Sequence, residues 1–175
     1  WSRQFANILP ILPREEGISR LYSLSSLILP NGALFFCDTH VNIDPTAEQI
    51  AEMTFLAART VRRFGMAPKA ALLSHSSFGT ANSDTARKMR KAMAILRAAN
   101  PDFELDGEMH ADAALSEALR GRLVSSSPLT GSANLMVMPT LDAAKSALTL
   151  LSAATEALLV GPRLLGVSKP IHVMV

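Results

Sequence analysis

Short apolar runs alternating with amphipathic stretches dominate the chain from residue 70 onward, and this alternation limits the folds open to it. The apolar runs are Ala70–His75, Phe103–Asp106, Leu135–Met138, Ala157–Val160 and Ile171–Val175. The stretches Asp84–Ala98, Ala111–Arg120 and Leu141–Ala154 carry helical periodicity between them. A strand, a helix and a second strand in succession read as a βαβ unit with parallel strands. Gly161-Pro162 and Gly166 separate the last two runs, with room for a short helical turn.

Upstream, Ser25–Leu29 and Ala33–Asp38 flank Pro30-Asn31-Gly32. Asn-Gly readily adopts the positive φ of a tight turn, so the pair reads as a hairpin that adds antiparallel strands. Asp44-Pro45 opens a helix, with Asp44 placed to cap it and Pro45 suited to its first turn. Ile50, Met53, Ala57, Val61 and Phe64 form its buried stripe, and Gly65 ends it. The expected architecture is a three-layer α/β/α fold around a mostly parallel mixed sheet. Residues 1–20, interrupted by Pro10, Pro13 and Gly17, read as an irregular segment from a preceding lobe, and 21–175 as the domain itself.

A chain of 175 residues suits one such domain, and 49% hydrophobic content supplies its core. The net charge of +2 is scattered and aromatic residues are 5%, so no nucleic-acid footprint stands out. The single cysteine, Cys37, excludes an internal disulfide or a cysteine zinc cluster and fits a reducing cytoplasm. No apolar run reaches the roughly 18 residues of a membrane span, and no secretory signal opens the chain. The start at Trp1 and the stop inside an apolar run suggest a piece of a larger polypeptide.

In open α/β sheets ligands bind beyond the carboxyl ends of the strands. The loop from Ser74, His75 and Ser76 to Ser83 follows a strand and precedes a helix, where hydroxyls and backbone N–H groups can meet an anion. It lacks the Gly-Lys-Ser/Thr ending of a Walker loop. Alternatively it is an ordinary polar loop capped by Ser83 or Asp84. The run Asp106–Asp112 offers four residues of metal-ligand type, but its strand should stop near Gly107 and no second cluster accompanies it. Asp112 or His110 capping the next helix explains part of the run. Ser125–Ser132 reads as a flexible connection or as a second rim of the same crevice, formed by Thr130, Gly131 and Ser132.

His40, His75 and His110 show no ligand spacing. A triad of Ser76, His75 and Asp106 lacks a strained nucleophile turn and is set aside. Cys37 reads as a small buried hydrophobe. Arg87, Lys88, Arg90, Lys91 and Arg97 form the solvated face of a helix that buries Ala86, Met89, Met93 and Leu96.

Several ordered motifs together resemble the phosphate acetyl/butyryltransferase family. They are the run from Asp44-Pro45-Thr46 to Glu52, Ala71-Leu72-Leu73-Ser74-His75-Ser76, Asp106-Gly107-Glu108, and Ala133-Asn134-Leu135-Met136-Val137-Met138-Pro139. Gly161-Pro162-Arg163-Leu164-Leu165-Gly166 and Lys169-Pro170 extend the series. Ser74-His75-Ser76, Lys88-Met89-Arg90 and Asp106–His110 favour the branch found at the C-terminus of large bacterial malic enzymes. The resemblance implies a lobe of an isocitrate/isopropylmalate dehydrogenase-like fold. It also implies acyl-CoA or acyl phosphate as ligand, with Ser74, His75, Ser76, Asp106, Glu108, Thr130, Gly131 and Asn134 bordering the crevice.

The family's transferases carry a Ser-Arg pair soon after Lys-Pro, and Asp142-Ala143-Ala144-Lys145 departs from the family's usual helix start. The resemblance therefore implies little transferase activity here, no catalytic residue and no cofactor in this segment. It implies instead an acetyl-CoA-responsive regulatory and oligomerising module. NAD(P) and a divalent metal would reside in an N-terminal malic-enzyme part, and the partners would be that part and further copies, with no nucleic acid or membrane. A working acyltransferase and a purely structural lobe are the alternatives.

Overall fold

Asn31 and Gly32 turn the chain between β1 (Tyr22–Leu29) and β2 (Gly32–Cys37), which pair antiparallel with Leu29 opposite Gly32 and Leu24 opposite Cys37. The computed structural model describes residues 11–168. β3 (Lys69–Leu73), β4 (Glu104–Met109), β5 (Leu135–Val137) and β6 (Leu158–Leu165) complete a six-stranded sheet in the order β4-β3-β5-β2-β1-β6. The pairs β3–β4, β3–β5 and β2–β5 are parallel, while β1 pairs antiparallel with both β2 and β6. The mixed, mainly parallel sheet is the one expected.

Two strands differ from expectation. β4 continues past Gly107 to Met109, with its register against β3 shifting between Leu72 and Leu73. β6 runs without a helical turn through Gly161-Pro162, because its pairing with β1 is interrupted between Leu24 and Ser26 and absorbs the extra residues there. An edge strand tolerates proline, since no neighbour beyond it needs the missing N–H. The expected strand at Ile171–Val175 and residues 1–10 lie outside the described residues.

The helices form two layers. α1 (Ala47–Arg63) is capped by Thr46, which exchanges bonds with Gln49 in a capping box; Asp44 is instead ion-paired to Lys88. α2 (Asp84–Ala98) is capped by the Ser83 hydroxyl. Both cover one sheet face, where Ile50, Met53, Val61, Met89 and Leu96 meet Leu24, Phe35 and Leu72. The expected helix Ala111–Arg120 is two, α3 (Ala111–Leu115) and α4 (Glu117–Leu123), broken at Ser116. Ser116 is extended and its hydroxyl caps α4, which is the local competition that makes serine a poor helix interior. α3 and α5 (Leu141–Ala154) cover the other face, where Ala113, Ala114, Ala144 and Leu148 meet Leu27, Phe36, Leu73 and Met136.

A candidate ligand site at the carboxyl edge

The sheet topology marks where a crevice can form. β2 and β3 send the chain to the α1–α2 face, whereas β5, lying between them, sends it to the α5 face. Neighbouring strands whose following segments diverge are where open α/β sheets take a ligand, at the carboxyl ends, here beyond Val137. Three segments border that place: residues 38–42 after β2, residues 74–83 after β3, and the start of α5.

The loop 74–83 is organised by one buried carboxylate. Glu108 Oε1 accepts bonds from Ser76 Oγ (2.7 Å), Gly79 N (2.9 Å) and Arg90 Nη1 (3.0 Å). Burial pushes the pKa of Glu108 up, but the bonds from Ser76, Gly79 and Arg90 outweigh it and hold the carboxyl below its usual 4.5. Ser76 Oγ also accepts from Ala81 N at 3.0 Å, so this hydroxyl is spent inside the loop. His110 bonds back through its Nε2 to the His75 carbonyl (2.8 Å) and through its N–H to Ser77 Oγ (3.1 Å). His75 is exposed and Ser74 half-buried at the rim. Ser74, His75, Ser76 and Glu108 are thus brought together.

The other sequence-level candidates lie elsewhere. Asp106 is buried within β4, accepting from Arg97 Nη2 and its neighbour Gly107 N, both at 2.9 Å. Thr130, Gly131 and Asn134 precede β5 and sit at the amino edge, the opposite end of the strands. Asn134 Oδ1 accepts from Lys69 N (2.8 Å) at the start of β3, and Thr130 Oγ1 bonds Glu104 (3.0 Å) at the start of β4. β3 alone separates the two edges by about 13 Å. The expectation of one crevice with two hydroxyl-bearing rims is therefore corrected: a segment that leads into a parallel strand cannot share an edge with one that leaves it.

The segment 124–134 is a strap around Arg120 rather than a flexible connection. Arg120 is 1% exposed and donates to Ser127 Oγ (3.0 Å) and to the carbonyls of Ala113 (2.8 Å), Leu129 (2.9 Å) and Gly131 (2.8 Å). The basic face of α2 is not simply solvated either. Arg90 pairs with Glu108, Arg97 with Asp106, Lys91 with Glu48 and Lys88 with Asp44.

Sequence reasoning passed over the segment after β2. Asp38 is buried, and its Oδ1 accepts from Ser23 Oγ, His40 N (3.1 Å) and Val41 N (3.1 Å). Its Oδ2 accepts from Asn42 N (2.9 Å) and Asn42 Nδ2 (2.6 Å). Thr39 Oγ1 lies 2.8 Å from Ser25 Oγ and 2.9 Å from His40 Nδ1, and His40 Nε2 lies 2.9 Å from Lys145 Nζ of α5. Burial, helped by the Lys145 charge and opposed by Asp38, pushes His40 down from 6.5 to about 4. The imidazole is therefore neutral near pH 7, Nε2 accepting from Lys145 and Nδ1 donating to Thr39. The available signal was the polar run Asp38-Thr39-His40 directly after an apolar strand. Cys37, before it, is fully buried, and burial raises its thiol well above the usual 9.0, as expected for an inert packing residue.

No group of three or more His, Cys, Asp or Glu among the described residues is arranged to hold a metal ion. A cavity of about 670 Å³ lies away from the edge clusters, between α1 and β6, lined in part by Arg59, Arg63, Phe64, Val160 and Arg163. Glu15 pairs with Arg59 there at 2.7 Å.

Residues 2–175 match the family model for phosphate acetyl/butaryl transferase. The chain is 46% identical over 175 residues to the NADP-dependent malic enzyme of Salmonella typhimurium. It is 47% identical over 174 residues to the NAD-dependent malic enzyme of Rhizobium meliloti. Each alignment covers 99% of this chain and 23% of the relative, so the chain spans less than a quarter of those enzymes. A phosphotransacetylase from Streptococcus pyogenes superposes with a TM-score of 0.90 at 31% identity, covering 97% of this chain and 53% of that one.

Proposed function

The chain belongs to the phosphate acetyl/butaryl transferase family, and on that premise we propose that it is the phosphotransacetylase-like module of a malic enzyme. In this reading the module binds acetyl-CoA and alters the oxidative decarboxylation of malate to pyruvate performed elsewhere in the polypeptide. The observation that carries the reading is the contrast in identity: 46–47% with two malic enzymes against 31% with the phosphotransacetylase. The crevice beyond β5 is the place assigned to the ligand, with Ser74 and His75 at its rim and Glu108 holding the loop in shape. The nicotinamide cofactor and the divalent metal belong, in this reading, to the malic-enzyme part.

Regulation at a distance requires acetyl-CoA to bind two states of the assembly with different affinities. A homo-oligomer in the cytoplasm fits this reading. Its support is the edge strand β6, which leaves Leu158 66%, Leu159 42% and Val160 41% exposed, an apolar edge of the kind proteins cover. No helix among the described residues is long and apolar enough to cross a membrane.

The test is malate-dependent NAD(P) reduction by the full-length protein, followed while acetyl-CoA is titrated in. A shift in malate KM or kcat is expected; kinetics indifferent to acetyl-CoA remove the regulatory reading. The second reading, favoured by the TM-score of 0.90, is transfer of an acetyl group from the coenzyme A sulfur to a phosphate oxygen. Such transfer relies on positioning and charge stabilisation. Thioester formation from acetyl phosphate and coenzyme A by the full-length protein decides between the two.

A further inference from the structure

The start of α5 carries a charge that no carboxylate among the described residues pairs with. Among the described residues, Lys69, Lys88 and Lys91 each lie within ion-pair distance of a carboxylate: Glu104, Asp44 and Glu48. Lys145 has no such partner there. Its ammonium donates to His40 Nε2 at 2.9 Å, and that imidazole is uncharged near pH 7. Asp38, the buried carboxylate of the same cluster, is already occupied by Ser23, His40, Val41 and Asn42.

A lysine held by a neutral acceptor keeps its whole charge and two further N–H donors. The chain His40–Thr39–Ser25 behind it fixes the acceptor, so the ammonium is held at one place although its residue is exposed. The place is significant. Lys145 lies near the N-terminus of a 14-residue helix and is bonded to the segment that borders the topological switch point beyond β5. Ammonium groups recognise phosphate as compact point charges.

We propose that Lys145, oriented by its hydrogen bond to His40, binds a phosphoryl group of the ligand in the carboxyl-edge crevice. The inference rests on the family reading above for the presence of a phosphorylated ligand, and it names the contact for that ligand. The phosphoryl group has two sources of the same chemistry, an acyl phosphate or coenzyme A.

Equilibrium titration of the full-length protein with acetyl-CoA, acetyl phosphate and inorganic phosphate tests it, comparing wild type with Lys145→Gln and Lys91→Gln. Lys145→Gln is expected to weaken binding roughly tenfold, the scale of one hydrogen bond to a charged group. Lys91→Gln, which removes a charge paired with Glu48, is expected to bind as wild type does. A loss seen with acetyl phosphate and inorganic phosphate as well assigns Lys145 to a phosphoryl group of either source. A loss confined to acetyl-CoA assigns it to a phosphate of coenzyme A. Undiminished binding by Lys145→Gln overturns the proposal, as does an equal loss in Lys91→Gln, which would reflect net charge alone. Wild-type protein that binds none of the three probes overturns the family reading of the ligand instead.

Discussion

Arg120 shows how much one residue can organise. Its guanidinium, buried with no carboxylate partner among the described residues, ties α3 to the strap before β5 through backbone carbonyls. Arg120→Met leaves those buried acceptors unsatisfied and is expected to destabilise the fold by about 3 kcal/mol, read as a lower urea midpoint at unchanged slope. Glu108 makes a pH-dependent contribution. Its folded pKa lies below 4.5, so the unfolded chain binds the proton first as pH falls. The stabilisation is complete above that value and drains away as pH falls below it, through the folded pKa. Glu108→Gln is expected to be less stable than wild type at pH 7 and to lose less on acidification, measured by denaturation at about pH 7 and about pH 3.5. Neither role is legible in the sequence: Arg120 looks like any polar position on a helix, and Glu108 resembles a ligand until its three donors are seen.

Most elements were legible, because periodicity and capping are local. α2 and α5 run over the very residues the apolar spacing marks, with Ser83 and Thr140 supplying their caps. The elements that differ do so for reasons of pairing. β4 extends across Gly107 because β3 lies beside it, with Leu72 opposite Gly107. Gly107 has φ +142°, and a Cβ there would stand 2.7 Å from the Leu72 carbonyl oxygen. Gly107→Ala is expected to cost roughly 2 kcal/mol or more, since backbone must move to admit it; equilibrium unfolding measures the loss. A variant as stable as wild type would show that β3 and β4 can separate freely. β6 is likewise decided by its neighbour: β1 accepts it on both sides of an irregularity that the sequence suggests only as a break at Gly161-Pro162.

At the scale of the molecule, the two edges of the sheet do different work. The amino edge is built of structural ties among Lys69, Glu104, Thr130 and Asn134, while the carboxyl edge gathers the buried carboxylates Asp38 and Glu108 and the cation Lys145. Asn134→Ala removes the acceptor for Lys69 N and the donor to the Ala67 carbonyl. It is expected to cost about 1–2 kcal/mol of stability yet leave acetyl-CoA affinity as in wild type, in paired denaturation and titration experiments. A weakened affinity at unchanged stability would return the ligand to the amino edge. The α/β class, the hairpin, the family and most helix positions were determined by the sequence alone, because each rests on spacing within a few turns or on an ordered series of motifs. Which loops share an edge was decided only by tertiary structure. The sequence places 74–83 after one strand and 130–134 before another, but strand order and direction arise from pairing between distant segments, so only the parallel pairing of β3 with β5 sets these stretches at opposite edges.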